Sequence, residues 1–129
     1  MVAEKIPFKD ESVTNITVAF GVRNFYDIQE GFKSFYRILK PQGKATIIEF
    51  RMPSNKIIKS IYKFYFKNIL PVLGGIISGD KAAYTYLPDS VQEFDEKVNL
   101  EKLLINSGFK EIKKYNFTFE TVQVLIAQK

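Results

Sequence analysis

Apolar positions along the chain fall into two periods. Residues 13–20 (VTNITVAF) are β-branched and uncharged, the pattern of a strand buried on both faces of a parallel sheet. Asp27 follows as a helix N-cap, with Glu30 placed as its capping-box partner. Phe32, Phe35, Tyr36 and Leu39 recur at i, i+3, i+4 and i+7, giving that helix one apolar face, and Pro41 ends it. Pro41-Gln42-Gly43 has the chemistry of a type I turn, in which a glutamine at the middle position is tolerated, and 45–50 reads as a second buried strand. Strand, capped helix, turn and strand predict a βαβ unit with parallel strands and a right-handed crossover.

Beyond Pro53 the pattern predicts a helical insertion over 55–87: a basic helix, a Pro/Gly break, and a short helix begun by Asp80 and closed near Pro88. On the basic helix Lys56, Lys59, Lys63 and Lys67 fall within about 80° of arc, with Ile58, Ile61, Tyr65 and Ile69 opposite. Two readings stand: a surface helix whose greasy stripe lies in the core, or a basic amphipathic helix facing an anionic membrane. A further helix is expected over 97–107 with Leu100, Leu103 and Leu104 inward, closed by Gly108 and Phe109 in a Schellman ending. The tail predicts an antiparallel pair, 110–118 and 121–128, the second alternating Val122, Val124 and Ile126 with Gln123 and Gln128.

Composition narrows the chemistry. The 129 residues are 46% hydrophobic, which fits one domain with a core, and no internal repeat or linker interrupts them. With neither cysteine nor histidine, disulfides, thiolate nucleophiles, imidazole acid–base work and most zinc or copper sites are excluded. The net charge of +5 comes almost wholly from lysine, with Arg23, Arg37 and Arg51 the only arginines, which argues against nucleic acid as a partner. The start Met1-Val2-Ala3-Glu4-Lys5 does not read as a signal peptide, and no apolar run reaches the roughly 18 residues a bilayer span needs. The expected location is therefore cytoplasmic. No G-x-G-x-x-G run is present to cradle a nucleotide, and Gly74-Gly75 sits inside a helical region.

Several segments resemble a known family. Val2 to Phe8 (VAEKIPF), Phe20-Gly21-Val22-Arg23-Asn24, Tyr36 to Gly43 (YRILKPQG), Ile48-Glu49-Phe50 and Ser78-Gly79-Asp80 through Tyr84-Thr85-Tyr86-Leu87-Pro88 are similar to the ubiquinone/menaquinone biosynthesis C-methyltransferases. F-G-x-R-N together with S-G-D-K-x-x-Y-x-Y-L-P is the specific part of the match. The resemblance spans the whole chain, yet family members are about twice as long. It therefore implies an α/β fold: the C-terminal half of a Rossmann-like class I methyltransferase, with parallel strands, an antiparallel C-terminal pair, flanking helices and the 55–87 insertion as a substrate lid. Residues 1–129 would be one partial domain equivalent to strands four to seven of the doubly wound sheet.

The resemblance implies methyl transfer from S-adenosylmethionine to a ring carbon of a prenylated quinol, with most of the cofactor site in the half not present. It places Arg23 at the C-terminal end of the first strand, either stabilising a phenolate or polarising a water that acts as base, with Asn24 orienting it or the substrate. Tyr84, Tyr86 and Ser90 would form part of the quinol pocket, and Phe20 and Gly21 a residual cofactor contact. The bland reading stays beside it: Arg23 caps the strand or pairs with Asp27, the two tyrosines are core aromatics, and Arg37 and Glu49 form a helix–sheet ion pair or a loop anchor. The 13–20 edge would pair with the missing half or with another copy, and the basic helix at 56–67 would touch the inner face of a membrane. An inactive remnant serving as an oligomeric or partner-binding module is the alternative to an enzyme. Val2, Gln42, Arg51, Glu120 and Leu125 stand where the family has an Asp or Asn, a Gly, a Ser, a Gly and a His.

Overall fold

The computed structural model describes residues 1–79 and 81–129; the side chains at 78 and 81–88 lie outside the described set. Four strands, β1 (Val13–Ala19), β2 (Leu39–Phe50), β3 (Glu111–Phe117) and β4 (Val122–Gln128), form one sheet in the order β1-β2-β4-β3. β1 and β2 are parallel, joined through helix α1 (Ile28–Ile38), while β4 runs antiparallel to both β2 and β3. The parallel strand–helix–strand unit and the terminal antiparallel pair form as the pattern predicts, but β2 begins at Leu39 and not at 45, so the helix ends at Ile38 and Leu39, expected on its apolar face, belongs to the strand.

Local chemistry sets the boundaries. Asp27 caps α1 by accepting the Glu30 N–H at 3.0 Å. α5 (Leu100–Asn106) starts later than the expected 97, because the Asn99 side chain caps it by accepting from the Lys102 N–H. It closes with the Schellman pair predicted: Phe109 N–H to Leu104 O at 3.3 Å and Gly108 N–H to Ile105 O at 3.1 Å, with Gly108 at φ +114°.

One face of the sheet is packed. Ala45, Ile47, Leu125 and Ala127 point to α1 and α5, where Phe32, Phe35, Leu39, Leu104 and Phe109 complete the core. Burying each large side chain there is worth roughly 1.5–3 kcal/mol. The opposite face, bearing Thr46, Ile48, Val124, Ile126, Tyr115 and Phe117, is only half-buried or exposed. β1 shows the same deficit. It lies at the sheet edge with no fully buried residue, although its composition is that of an interior strand.

In the insertion, α2 (Lys56–Phe64) leads through a π-helical segment, Tyr65–Ile69, into α3 (Leu70–Ser78), and α4 (Lys81–Lys97) follows. The expected stop near Pro88 is corrected: α4 runs through it. Proline inside a helix costs about 3 kcal/mol. Beyond it the buried side chains of Val91 and Phe94 offset that cost. Asp80 lies outside the described residues.

The type I turn is also corrected. Register passes from Val13↔Leu39 to Asn15↔Lys44, so five steps along β2 oppose two along β1. The surplus at Pro41-Gln42-Gly43 bulges out of a continuous strand, with Gln42 in the left-handed region at φ +67°. Gly43 is held tightly, since a Cβ there would meet Lys40 O at 2.8 Å. The left-handed conformation costs a non-glycine residue about 1–2 kcal/mol, part of which glycine returns as backbone entropy. Gln42→Gly is therefore expected to stabilise the fold by about 0.5–1 kcal/mol, read as a higher urea midpoint at unchanged m-value.

Candidate functional site

At the C-terminal ends of β1 and β2 the chain makes an abrupt turn. Phe20, just past β1, takes φ +56°, a strained conformation for an aromatic residue, and Val22–Asn24 then form one turn of 3-10 helix around the fully buried Val22. That turn points Arg23 back over the strand ends. Arg23 Nη1 donates to Glu49 Oε1 at 2.7 Å and to the Phe20 carbonyl at 3.2 Å, and the Arg23 N–H reaches Glu49 Oε2 at 3.4 Å. Glu49, near the end of β2, is 0% exposed and also accepts the Phe50 N–H at 2.9 Å. The guanidinium lies 5.5 Å from the centre of the Phe50 ring, which stacks on Phe20 at 4.4 Å.

Arg23 is therefore fixed by Glu49, not by Asp27, whose carboxylate is spent on the α1 cap. Asn24 is exposed and its side chain makes no bond to Arg23 among the described residues, so the orienting role expected of it falls to Glu49. Arg37 is the loop anchor of the two alternatives, donating to the carbonyls of Ile6 and Phe8 and to Asp10, each at 2.7 Å. Glu49 and Arg37 are not partners.

Two spaces open beside Arg23. A cleft of about 260 Å³ is lined by Arg23, Ile28, Ser90, Glu93, Phe94, Lys97 and Val98, so Arg23 and Ser90 border the same space. An apolar groove of about 320 Å³ runs from Phe50 along Ile58, Ile61, Tyr62, Tyr65 and Phe66 of the insertion to Phe119. Phe50 is common to the groove and to the Arg23 stack, so a polar end and an apolar end lie side by side. The side chains of Tyr84 and Tyr86 lie outside the described residues. A larger polar cavity, about 380 Å³ between Arg51, Asp95, Glu101 and Lys114, is not lined by Arg23 but shares Lys97 and Val98 with the Arg23 cleft.

Tyr62 is a site residue that sequence reasoning missed. Its side chain is buried, its hydroxyl has no hydrogen-bond partner among the described residues, and burial pushes its pKa up to about 12 against the pull of Arg23. The sequence offered no signal that would single it out, since aromatic residues also stand at 64, 65 and 66 and periodicity alone does not say which of them faces inward. For S-adenosylmethionine the fit is partial. Gly21 has φ −118°, and a Cβ there would make only an ordinary 3.4 Å contact with Val18, so the chain's own packing does not require glycine. Neither Phe20 nor Gly21 lines the clefts described above, and no Gly-rich loop to hold the rest of the molecule is present in the sequence.

The profile of the ubiE/COQ5 methyltransferase family matches residues 1–129. The chain belongs to that family. It is 46% identical over 127 residues to a demethylmenaquinone methyltransferase from Chlorobaculum tepidum, covering 98% of this chain and 52% of that protein. It is 42% identical over 126 residues to a ubiquinone/menaquinone biosynthesis C-methyltransferase from Geotalea uraniireducens, covering 98% and 53%. The chain thus spans about half the length of the curated relatives it matches. Among solved structures, a SAM-dependent methyltransferase from Aquifex aeolicus matches with TM-score 0.59 at 16% identity, over 99% of this chain and 52% of that one. One from Thermotoga maritima gives 0.59 at 17%, over 98% and 61%. These show the fold to be that of S-adenosylmethionine-dependent methyltransferases.

Within this ubiE/COQ5 family member the unusual residues have structural places. Glu120 does not crowd the site: it accepts from Ser54 Oγ at 2.5 Å and Ser54 N–H at 3.3 Å, which holds its carboxyl below the usual range and ties the terminal hairpin to the start of the insertion. It is the last of three consecutive left-handed residues, Thr118, Phe119 and Glu120, where a glycine would relax the backbone. Leu125 is fully buried in the core, and Arg51 donates to Asn116 at 3.0 Å.

An unpartnered buried hydroxyl is destabilising, so Tyr62→Phe should raise stability at pH 8 by about 1 kcal/mol. Between pH 10 and 12 the unfolded chain loses the Tyr62 proton while the folded chain keeps it, so stability present below pH 10 falls through that window. Paired urea titrations should show a growing advantage of the phenylalanine variant above pH 10.

Proposed function

We propose that this chain is the substrate-side half of an S-adenosylmethionine-dependent C-methyltransferase that methylates a ring carbon of a prenylated quinol in menaquinone or ubiquinone biosynthesis. The observation that carries the reading is the clamped Arg23: a guanidinium fixed at the C-terminal end of a parallel strand, where open α/β sheets bind ligands. Family membership and the demethylmenaquinone named for the Chlorobaculum tepidum relative supply the substrate class.

The cofactor, when bound, supplies an electrophilic methyl group on sulfonium. The chain's own residues prepare the nucleophile. A ring carbon attacks only when its neighbouring oxygen releases electron density, and a free phenol with pKa near 10 is mostly protonated at neutral pH. Arg23 lowers that barrier by stabilising the phenolate. Its Nη1 is committed to Glu49 and Phe20, which leaves Nη2 and Nε, unbonded among the described residues, for the quinol oxygen or a water that takes the proton. Ser90, Asn24, Tyr84 and Tyr86 contribute polar contacts to the ring, and the groove beginning at Phe50 receives the isoprenoid tail.

Residues 1–129 act as one partial domain, with 55–87 as its lid. The other half, in the same polypeptide or a separate one, hydrogen-bonds to the open edge of β1 and covers the bare sheet face; a second copy of the chain is the alternative occupant of that edge. The protein works from the cytoplasm at the inner face of the membrane that holds its substrate, touching it through 56–67.

The test combines this chain with the first half of the Chlorobaculum tepidum relative expressed separately. Calorimetry should detect S-adenosylmethionine binding to the mixture but not to the 129 residues alone, and amides of β1 should become slow to exchange on mixing. Arg23→Ala is a poor probe, because it strands the buried Glu49 charge. Arg23→Lys keeps that charge paired while losing the planar fork. It should lower turnover about 10²-fold and leave cofactor affinity unchanged. Equal losses in turnover and cofactor affinity would assign Arg23 to structure instead.

A further inference from the structure

The basic helix carries a second apolar stripe that the sequence pattern hides. The side chains that pack inward from α2 and the π-helical segment are Tyr62, which is buried, and Phe66, which joins the cluster of Met52 and Val91. Ile57, Ile61 and Phe64, spaced i, i+4 and i+7, are left 72%, 63% and 61% exposed. The expectation that the greasy stripe of this helix lies in the core is therefore corrected: Ile61 is open, and Tyr65 and Ile69 are also exposed. α3 continues the surface with Val72, Leu73, Ile76 and Ile77, the last two 77% and 85% exposed. An apolar surface of this extent on one helical unit calls for an occupant.

Charge identifies it. From Phe50 to Gly79 the chain holds five basic residues and no Asp or Glu. Lys56, Lys59, Lys63 and Lys67 lie roughly a third of a turn round from the exposed stripe. None of the four is in an ion pair among the described residues. Elsewhere lysines do find carboxylates, as in Lys33–Glu30 and Lys97–Glu93. A second copy of this face would set four lysines against four at the apolar contact, with no carboxylate between Phe50 and Gly79 to offset them. An anionic lipid surface instead matches both halves: headgroups for the lysines, acyl chains for the stripe. No described helix is long and apolar enough to cross a bilayer, so the insertion lies in the interface.

We infer that α2 and α3 form an interfacial docking surface for anionic membranes, with Ile57, Phe64, Ile76 and Ile77 immersed and Lys56 and Lys67 at the headgroups. Ile61 and Tyr65 line the apolar groove and are exposed on this surface as well, so the groove opens toward the lipid. The inference deepens the quinol reading by naming the surface through which an isoprenoid chain would enter, and it fails separately from it.

The experiment uses the 129-residue chain and vesicles of phosphatidylcholine with or without about one-third phosphatidylglycerol. As the chain contains no tryptophan, Ile57→Trp serves as a reporter and Ile105→Trp, on the exposed side of α5, as a control. The expected result is a blue-shifted emission from the Ile57→Trp variant that bromine-labelled acyl chains quench, at least tenfold tighter binding to anionic vesicles, weakening with salt, and no change in the emission of the Ile105→Trp control. Lys56→Glu with Lys67→Glu should cost tenfold or more in binding; Phe64→Ser with Ile76→Ser should abolish flotation with far-UV dichroism unchanged. Equal binding to neutral vesicles, no binding by the unmodified chain, or a dimer that Phe64→Ser converts to monomer would overturn the inference. With the first half of the Chlorobaculum tepidum relative added, methyl transfer without vesicle binding would leave the quinol reading standing and remove this one; vesicle binding by a mixture that binds S-adenosylmethionine yet transfers no methyl group would do the reverse.

Discussion

The buried pair of Arg23 and Glu49 organises everything at the working end of this sheet. A carboxylate with no exposure is tolerable only if its charge is met and its oxygens are bonded, and Arg23, Phe50 and the turn after Phe20 together meet those needs. The requirement explains features that look unrelated. The left-handed Phe20 aims the following turn so that the guanidinium can reach back, and the same turn lets Phe20 stack on Phe50. Phe50, held under the guanidinium, becomes the first residue of the apolar groove. One ion pair therefore fixes the polar end of the site and the mouth of its apolar end.

Around that point the molecule is built as a body and an attached helical unit. The body is a four-stranded sheet clothed on one face by α1 and α5, with its other face and the β1 edge unclothed. The insertion's helices pack chiefly on one another. They are pinned to the body by Met52, Tyr62 and Val91, by the Asp95 bond to the Met52 N–H at 3.2 Å, and by the Glu120 bonds to Ser54. Among the described residues, a small apolar cluster and a buried hydroxyl without a partner make this a weak seam. The groove lies along that seam, so an apolar ligand would fill space that the chain itself leaves loosely packed.

Much of this was legible in the residues. The strand–helix–strand unit, the Asp27 cap, the Schellman ending at Gly108 and the terminal pair follow from local periodicity and capping chemistry, although β2 claims Leu39 to Lys44 from the predicted helix end and turn. The errors arose where the deciding contact is distant in sequence. Pro88 does not stop α4, because Val91 and Phe94 are buried against other elements. Gln42 sits in a bulge because the neighbouring strand sets the register of β2. At the site, Arg23 was legible from its motif, whereas its partner was not: Glu49 is 26 residues away and looks like an isolated acid in an apolar strand.

By itself the sequence determined the elements, their order, the family and the identity of the arginine, since each of these is written in short-range spacing and in motif residues. Tertiary structure decided which apolar side chains are covered. Helical periodicity places Ile57, Ile61 and Phe64 on one arc and Ile58, Tyr62 and Tyr65 on another, yet nothing local says which arc meets the body. Burial is a relation between segments far apart in the chain, and so are the Arg23–Glu49 pair, the bare sheet face and the open β1 edge. These features of the surface and the site came into view only with the fold.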